Sequence, residues 1–163
     1  MTLRPIALAL TVAALLSMGA CAADVGTGIA ELGTGEWRFE ALDPAAEAQD
    51  VELIRGAQGG VHIWTSVRAV GLAPARVTME LVTEPVDGSL APERSVVEVD
   101  LDEPGEETAG MHQLIGWPAV VSRPGCIVDR ELRLSITLTD HDGATAYDER
   151  IVVPRGTDMP ACE

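Results

Sequence analysis

Histidine is scarce in this chain. There are three, His62, His112 and His141, among 163 residues. Met111 adjoins His112, and imidazole with thioether is a donor pair that suits copper. No His-x-x-x-His spacing exists, so a copper or zinc site would require His62 and His112 to meet across strands. Asp140-His141-Asp142-Gly143 offers hard oxygen donors of the kind calcium takes. The twelve-residue calcium loop is incomplete there, lacking Asp or Asn at its fifth position and the closing glutamate. An ordinary β-turn uses the same Asp and Gly. Ser66 and Ser135 fall within strand-like runs, not at a strand-to-helix nucleophile elbow. Carboxylates are abundant, but no two stand out as an acid/base couple. No catalytic residue is nominated and no cofactor is called for. A secreted enzyme is a third reading without a site.

A different constellation is spaced for binding. Residues 56–64 read GAQGGVHIW, a glycine-rich turn running into a strand. In the strand that follows, Val61, Ile63, Thr65, Val67 and Ala69 share one face, and His62, Trp64, Ser66 and Arg68 share the other. The first set is the better core face. That leaves imidazole, indole and guanidinium in a stripe, with Gln58 in the preceding turn, as a candidate interaction face for a ligand, peptide or glycan. The structural alternative has Trp64 beneath a loop, Arg68 paired with a carboxylate and His62 bonded to a loop carbonyl. Gly59 and Gly60 suit a bulge or left-handed turn. No helix follows them, so they do not form a phosphate-binding loop.

The elements that must position these residues are strands. Runs rich in Val, Ile and Thr span 35–42, 51–55, 61–72, 77–83, 95–101, 111–122, 131–139 and 145–153. Turn signals separate them at Asp87-Gly88, Glu103-Pro104-Gly105 and His141-Asp142-Gly143. Trp37 and Phe39 share a parity in the first run. Residues 44–50 allow at most a turn or two of helix. The chain is expected to be all-β, an immunoglobulin-like sandwich of about seven to eight strands. A jelly roll or Greek-key barrel is the runner-up.

The N-terminus reads MTLRPIALALTVAALLSMGAC. A positive residue and a short apolar core precede small residues, the pattern of a secretion signal. It is short of the roughly 20 apolar residues a membrane span needs. Met18-Gly19-Ala20-Cys21 resembles a bacterial lipoprotein box, which implies a signal peptide of residues 1–20 and acylation at Cys21. Cleavage after Ala20 by an ordinary signal peptidase is the alternative. Residues 21–30 then form the lipidated N-terminus and a short tether, and residues 31–163 a single domain. Ala22 and Ala23, with no aspartate directly after the cysteine, resemble residues that send Gram-negative lipoproteins to the outer membrane. The expected location is the cell envelope, at the periplasmic face of the outer membrane or the cell surface.

Export permits a disulfide, and Cys126 with Cys162 would tie the C-terminus to the middle of the domain. The formal net charge is −15, and all eleven basic residues are arginine. Such a surface argues against nucleic acid. The expected partners are the membrane, through the lipid anchor, and an envelope protein.

Gln58-Gly59-Gly60-Val61-His62-Ile63-Trp64, with the VELIRGA before it, resembles a Gln-Gly-Gly-x-His-x-Trp segment in exported, lipoprotein-type proteins of myxobacterial type whose activity is uncharacterised. A late segment like LTDHDGATAYDERIVV closes the domain in that group. The resemblance runs from about Gly35 to Val153. It implies domain limits and singles out Gln58, Gly59, Gly60, His62 and Trp64, and it carries no catalytic residue.

Overall fold

A computed structural model describes residues 27–105 and 110–162. Cys21 and the segments read as signal and most of the tether lie outside the described residues. The described residues form ten strands and one short helix. They are β1 (Ile29–Thr34), β2 (Glu40–Ala41), β3 (Gln49–Glu52), β4 (Ile54–Arg55), β5 (Val61–Val70), β6 (Val77–Pro85), β7 (Glu93–Val99), β8 (His112–Val121), α1 (Pro124–Ile127), β9 (Leu132–Thr139) and β10 (Thr145–Arg155). Two five-stranded sheets result. One is ordered β3-β10-β9-β6-β7; the other runs β2-β1-β5-β4, with β8 on the opposite edge of β5. The sheets stay separate, so the molecule is an all-β sandwich and not a closed barrel.

Alternation dictates which side of each strand is buried. Leu132, Leu134, Ile136 and Leu138 of β9 face Val61, Ile63, Val67 and Ala69 of β5, and all are removed from solvent together with Val77, Met79 and Leu81 of β6. The face chosen from the sequence for residues 61–69 is therefore the core face. Burying each large aliphatic side chain contributes about 1.5–3 kcal/mol.

Two expected strands differ in an instructive way. The run 51–55 is extended throughout but serves both sheets. Gln49–Glu52 lies parallel to β10, and Ile54–Arg55 pairs with β5 in the other sheet. The crossover is at Leu53, which is buried and whose N–H donates to the Arg155 carbonyl at 2.8 Å. The run 35–42 was expected to be the first strand, yet only Glu40–Ala41 pairs there, and Trp37 is 85% exposed in a bend. The first strand is instead Ile29–Thr34, starting ahead of the expected domain limit at Glu31. Its IAELGT sequence lacks a β-branched alternation. It forms because Leu32 fills a fully buried core position while the backbone pairs with β5 from Ile29↔Val70 to Thr34↔Thr65.

The start of β1 also joins the other sheet, where the Gly28 N–H donates to the Thr145 carbonyl at 2.7 Å. Segments 27–28 and 49–52 thus hold the two ends of β10, leaving its middle, among the described residues, without a strand neighbour on that side. The Asp148 carboxylate closes this seam by accepting the Leu32 N–H at 2.6 Å, and it also pairs with Arg150.

Cys126, in α1, and Cys162 lie at disulfide distance with Cα atoms 4.6 Å apart. The chain end is thereby held against the segment between β8 and β9.

Candidate functional site

The turn that opens the candidate face is a hairpin loop. Gly56 N–H donates to the Gly60 carbonyl at 2.8 Å, and Gly59 N–H to the Gly56 carbonyl at 2.9 Å. Gly59 has φ +86°, the left-handed conformation that closes a three-residue hairpin loop. Gln58 sits exposed at the tip. The glycines therefore serve the β4–β5 hairpin.

His62 and Trp64 project to the same side of β5 and are half-buried. Their rings meet edge-on, with centroids 4.3 Å apart and planes at 71°. His62 Nε2 is buried without a hydrogen-bond partner among the described residues. The loop carbonyl expected as its partner is not there; Gly56 lies beside the ring instead. Arg68 is half-buried too, but no carboxylate pairs with it among the described residues. Its guanidinium carbon lies 4.1 Å from the centroid of the Phe39 ring, in a cation–π contact. The segment between β1 and β2 thus covers the Arg68 end of the stripe. The four residues do not form one open surface: Gln58 is at the tip, Arg68 is covered, and His62 and Trp64 remain together.

Ser66, between Trp64 and Arg68, is buried and structural. Its hydroxyl donates to the Gly35 carbonyl at 3.0 Å and accepts the Gly116 N–H at 3.1 Å. Ile115 and Gly116 of β8 together oppose it in a β-bulge, where Gly116 has φ +70°. A Cβ on Gly116 would lie 2.3 Å from the Glu36 carbonyl oxygen. The bulge, the serine and the loop after β1 are one interlocked unit.

Beside Trp64 the sheet has a gap. On the edge of β5 away from β8, β1 covers positions 65–70 and β4 covers 61–62, so among the described residues Ile63 and Trp64 have no strand neighbour there. A cleft of about 270 Å³ opens at that point, walled by Trp64, Ile54, Glu36, Glu40, Asp50 and Glu52 among others. Glu40 is paired with Arg38, and Asp50 with Arg155. Glu36 and Glu52 make no ion pair among the described residues. These carboxylates were not legible as a group in the sequence. They come from a loop, β2 and β3, and nothing in their spacing marks them out among the other acids.

The metal candidates are dispersed. His62 is opposite Val120 and His112 is opposite Ala69 in the β5–β8 ladder. Seven residues of strand, roughly 23 Å at about 3.3 Å per residue, separate them. The proposed His62–His112 meeting with Met111 alongside therefore does not occur. His112 Nδ1 is instead 3.3 Å from the Asp102 carbonyl oxygen.

Asp140 and Asp142 also part company. Asp140 is buried and both its oxygens are engaged: Oδ2 accepts the Ala73 N–H at 2.8 Å, and Oδ1 accepts those of Asp142 and Ala144, each at 2.9 Å. The Ala73 N–H leads in holding this carboxyl below the usual carboxylate range against the opposing effect of burial, with Ala144, Asp142 and His141 adding to it. Asp142 is exposed, 3.6 Å from His141 Nε2. Asp148 serves the β1–β10 seam. Among the described residues, no three His, Cys, Asp or Glu side chains converge as a metal-holding group.

Comparison of the chain with protein-family models, curated proteins and solved structures gave no match.

Proposed function

We propose that the protein is a lipid-anchored module of the cell envelope with a non-catalytic, interaction role, and that the cleft beside Trp64 receives a cationic, extended segment of an envelope protein partner. The observation that carries this reading is the coincidence, at one place, of a stretch of β5 whose edge away from β8 has no strand neighbour, the Trp64 indole, and the carboxylates of Glu36 and Glu52, which make no ion pair, all among the described residues. An exposed strand edge offers main-chain hydrogen bonds to an added segment. An indole attracts an ammonium or guanidinium group, and carboxylates favour the same charge. The anchor rests on the resemblance of Met18–Cys21 to a lipoprotein box, and it would hold the acidic domain at the membrane despite repulsion from anionic lipid.

Photo-crosslinking in intact cells tests this. A crosslinking residue at Trp64 is expected to capture an envelope protein through a Lys- or Arg-containing segment. The same residue at Tyr147, exposed on the outer face of the other sheet, is expected not to do so. Capture at neither position, or equal capture at both, contradicts the reading. The intact mass of membrane-extracted protein tests the anchor separately: diacyl or triacyl modification at Cys21 is expected, and an unmodified mature chain refutes it.

A further inference from the structure

The strand β7 ends its sheet. It pairs with β6 from Val77↔Val99 to Thr83↔Glu93 and has no strand on its other side among the described residues. Its sequence is Glu93-Arg94-Ser95-Val96-Val97-Glu98-Val99. Arg94, Val96 and Glu98 share the outer face, opposite Val82, Glu80 and Thr78 of β6. All three are exposed, Val96 to 59%. Open edges of this length are templates for pairing with another chain. Natural edges are commonly blunted by charged side chains, lysine above all, by proline or by a bulge. β8 carries Pro118 and the Gly116 bulge; β7 has no proline or bulge, the charges on its outer face, Arg94 and Glu98, are of opposite sign, and Glu93 at one end accepts hydrogen bonds from Ser122.

The edge is also self-complementary. Two copies of β7 can run antiparallel about a two-fold axis at Val96, and this is the antiparallel register that overlaps the whole strand. It sets Arg94 opposite Glu98 of the second copy and Glu98 opposite its Arg94. The two exposed Val96 side chains meet at the axis. Cross-strand pairs of opposite charge and of β-branched residues are both stabilising. Arg94 already has a carboxylate partner on its own sheet, since its Nε donates to Glu80 at 2.8 Å. That contact holds the guanidinium on the outer face, where Glu98 of the second copy would arrive.

We infer that β7 is a homodimerisation edge, at which two copies of this chain join their sheets into one continuous ten-stranded sheet. The contact follows the isologous geometry of two-fold dimers. It is small, so the dimer is weak. The net charge of −15 opposes association at long range, but at physiological ionic strength that repulsion is screened beyond about 8 Å. The Arg94–Glu98 pairs act in contact and survive the screening better.

A charge-swap experiment tests the edge and its register together. Sedimentation of the full chain at submillimolar concentration and physiological ionic strength is expected to show a monomer–dimer equilibrium. Arg94→Glu alone and Glu98→Arg alone each place like charges opposite one another twice, and each is expected to weaken the dimer by about tenfold or more. Mixing the two variants restores both opposite-charge pairs and is expected to give a heterodimer as tight as the wild-type dimer. A wild-type chain that stays monomeric overturns the inference. So does a dimer indifferent to both swaps, or a mixture that stays monomeric. Circular dichroism establishes that each variant is folded. If a swap impairs folding, Val96→Lys decides instead: it places two ammonium groups at the axis from an exposed position, and a dimer unchanged by it rules the edge out.

Discussion

The His62 imidazole meets the Trp64 indole edge-on, with ring centroids 4.3 Å apart. The contact sets the imidazole against the indole that lines the cleft at the gap in β5. Edge-on aromatic pairs contribute about 0.5–1.5 kcal/mol beyond the area they bury. His62→Ala is therefore expected to lower stability by about 1 kcal/mol in urea unfolding. It is also expected to leave copper and zinc affinity unchanged, because His112 lies at the far end of the same ladder. A loss of metal affinity in this variant would contradict the separation of the two histidines.

Asp140 accepts the Ala73 N–H, which ties the β9–β10 turn to the segment after β5, and two N–H groups within that turn, of Asp142 and Ala144. Asp140→Ala leaves those donors without their ionised acceptor and is expected to cost about 3 kcal/mol. The pH dependence follows from the depressed pKa of this carboxyl. The folded state holds the proton more weakly than the unfolded chain, whose aspartate titrates near about 3.9. The stabilisation is thus complete well above that value and is lost as pH falls through the lower, folded pKa. In thermal melts, the advantage of wild type over Asp140→Asn is expected to shrink as pH is lowered from neutrality through this range. An advantage that grows on acidification would contradict the assignment.

Gly116 cannot be replaced cheaply. Its φ of +70° disfavours any side chain, and an added Cβ would lie 2.3 Å from the Glu36 carbonyl oxygen. Gly116→Ala is expected to destabilise the domain by about 3 kcal/mol. Ser66→Ala, which leaves the Gly116 N–H and the Gly35 carbonyl unpaired, is expected to cost about 1–3 kcal/mol. Chemical denaturation of both variants checks the ranking.

Cys126 and Cys162 are separated by 36 positions in the chain. Closing a loop of that length restricts the unfolded chain by about 4 kcal/mol in the chain-entropy account. The double variant Cys126→Ser, Cys162→Ser is expected to lose stability on that order, and reductant is expected to bring the wild type to the same level. Insensitivity of the wild type to reductant would contradict the crosslink.

The elements that were legible in the sequence are those whose burial is one-sided and repeated. ELRLSITLT alternates without interruption, and β9 buries every second residue along its length. The parity of residues 61–69 likewise separated the core face from the His62–Trp64 face. What escaped was determined by tertiary contacts. IAELGT carries almost no local strand preference and pairs because Leu32 is buried and β5 offers an edge. VELIR reads as one strand, and only packing shows that Leu53 divides it between two sheets. Trp37 shares a parity with Phe39 in a run expected to be a strand, and is instead exposed in a bend. At the site, the aromatic wall was visible as a spacing of two. The carboxylates were not, because Glu36, Glu40, Asp50 and Glu52 are brought together by the crossing of β1, β2 and β3 around a gap.

That gap is the centre of the functional account, and Trp64 reports on it directly. An amide-and-indole NMR titration of the purified chain with a short extended peptide alternating arginine and valine is the most direct test. Shifts are expected to concentrate at the Trp64 indole and at the Glu36 and Glu52 amides, with affinity falling about tenfold in Trp64→Ala through loss of a cation–π contact of about 1–2 kcal/mol. Shifts spread evenly over the acidic surface, or an affinity unchanged by Trp64→Ala, would contradict it.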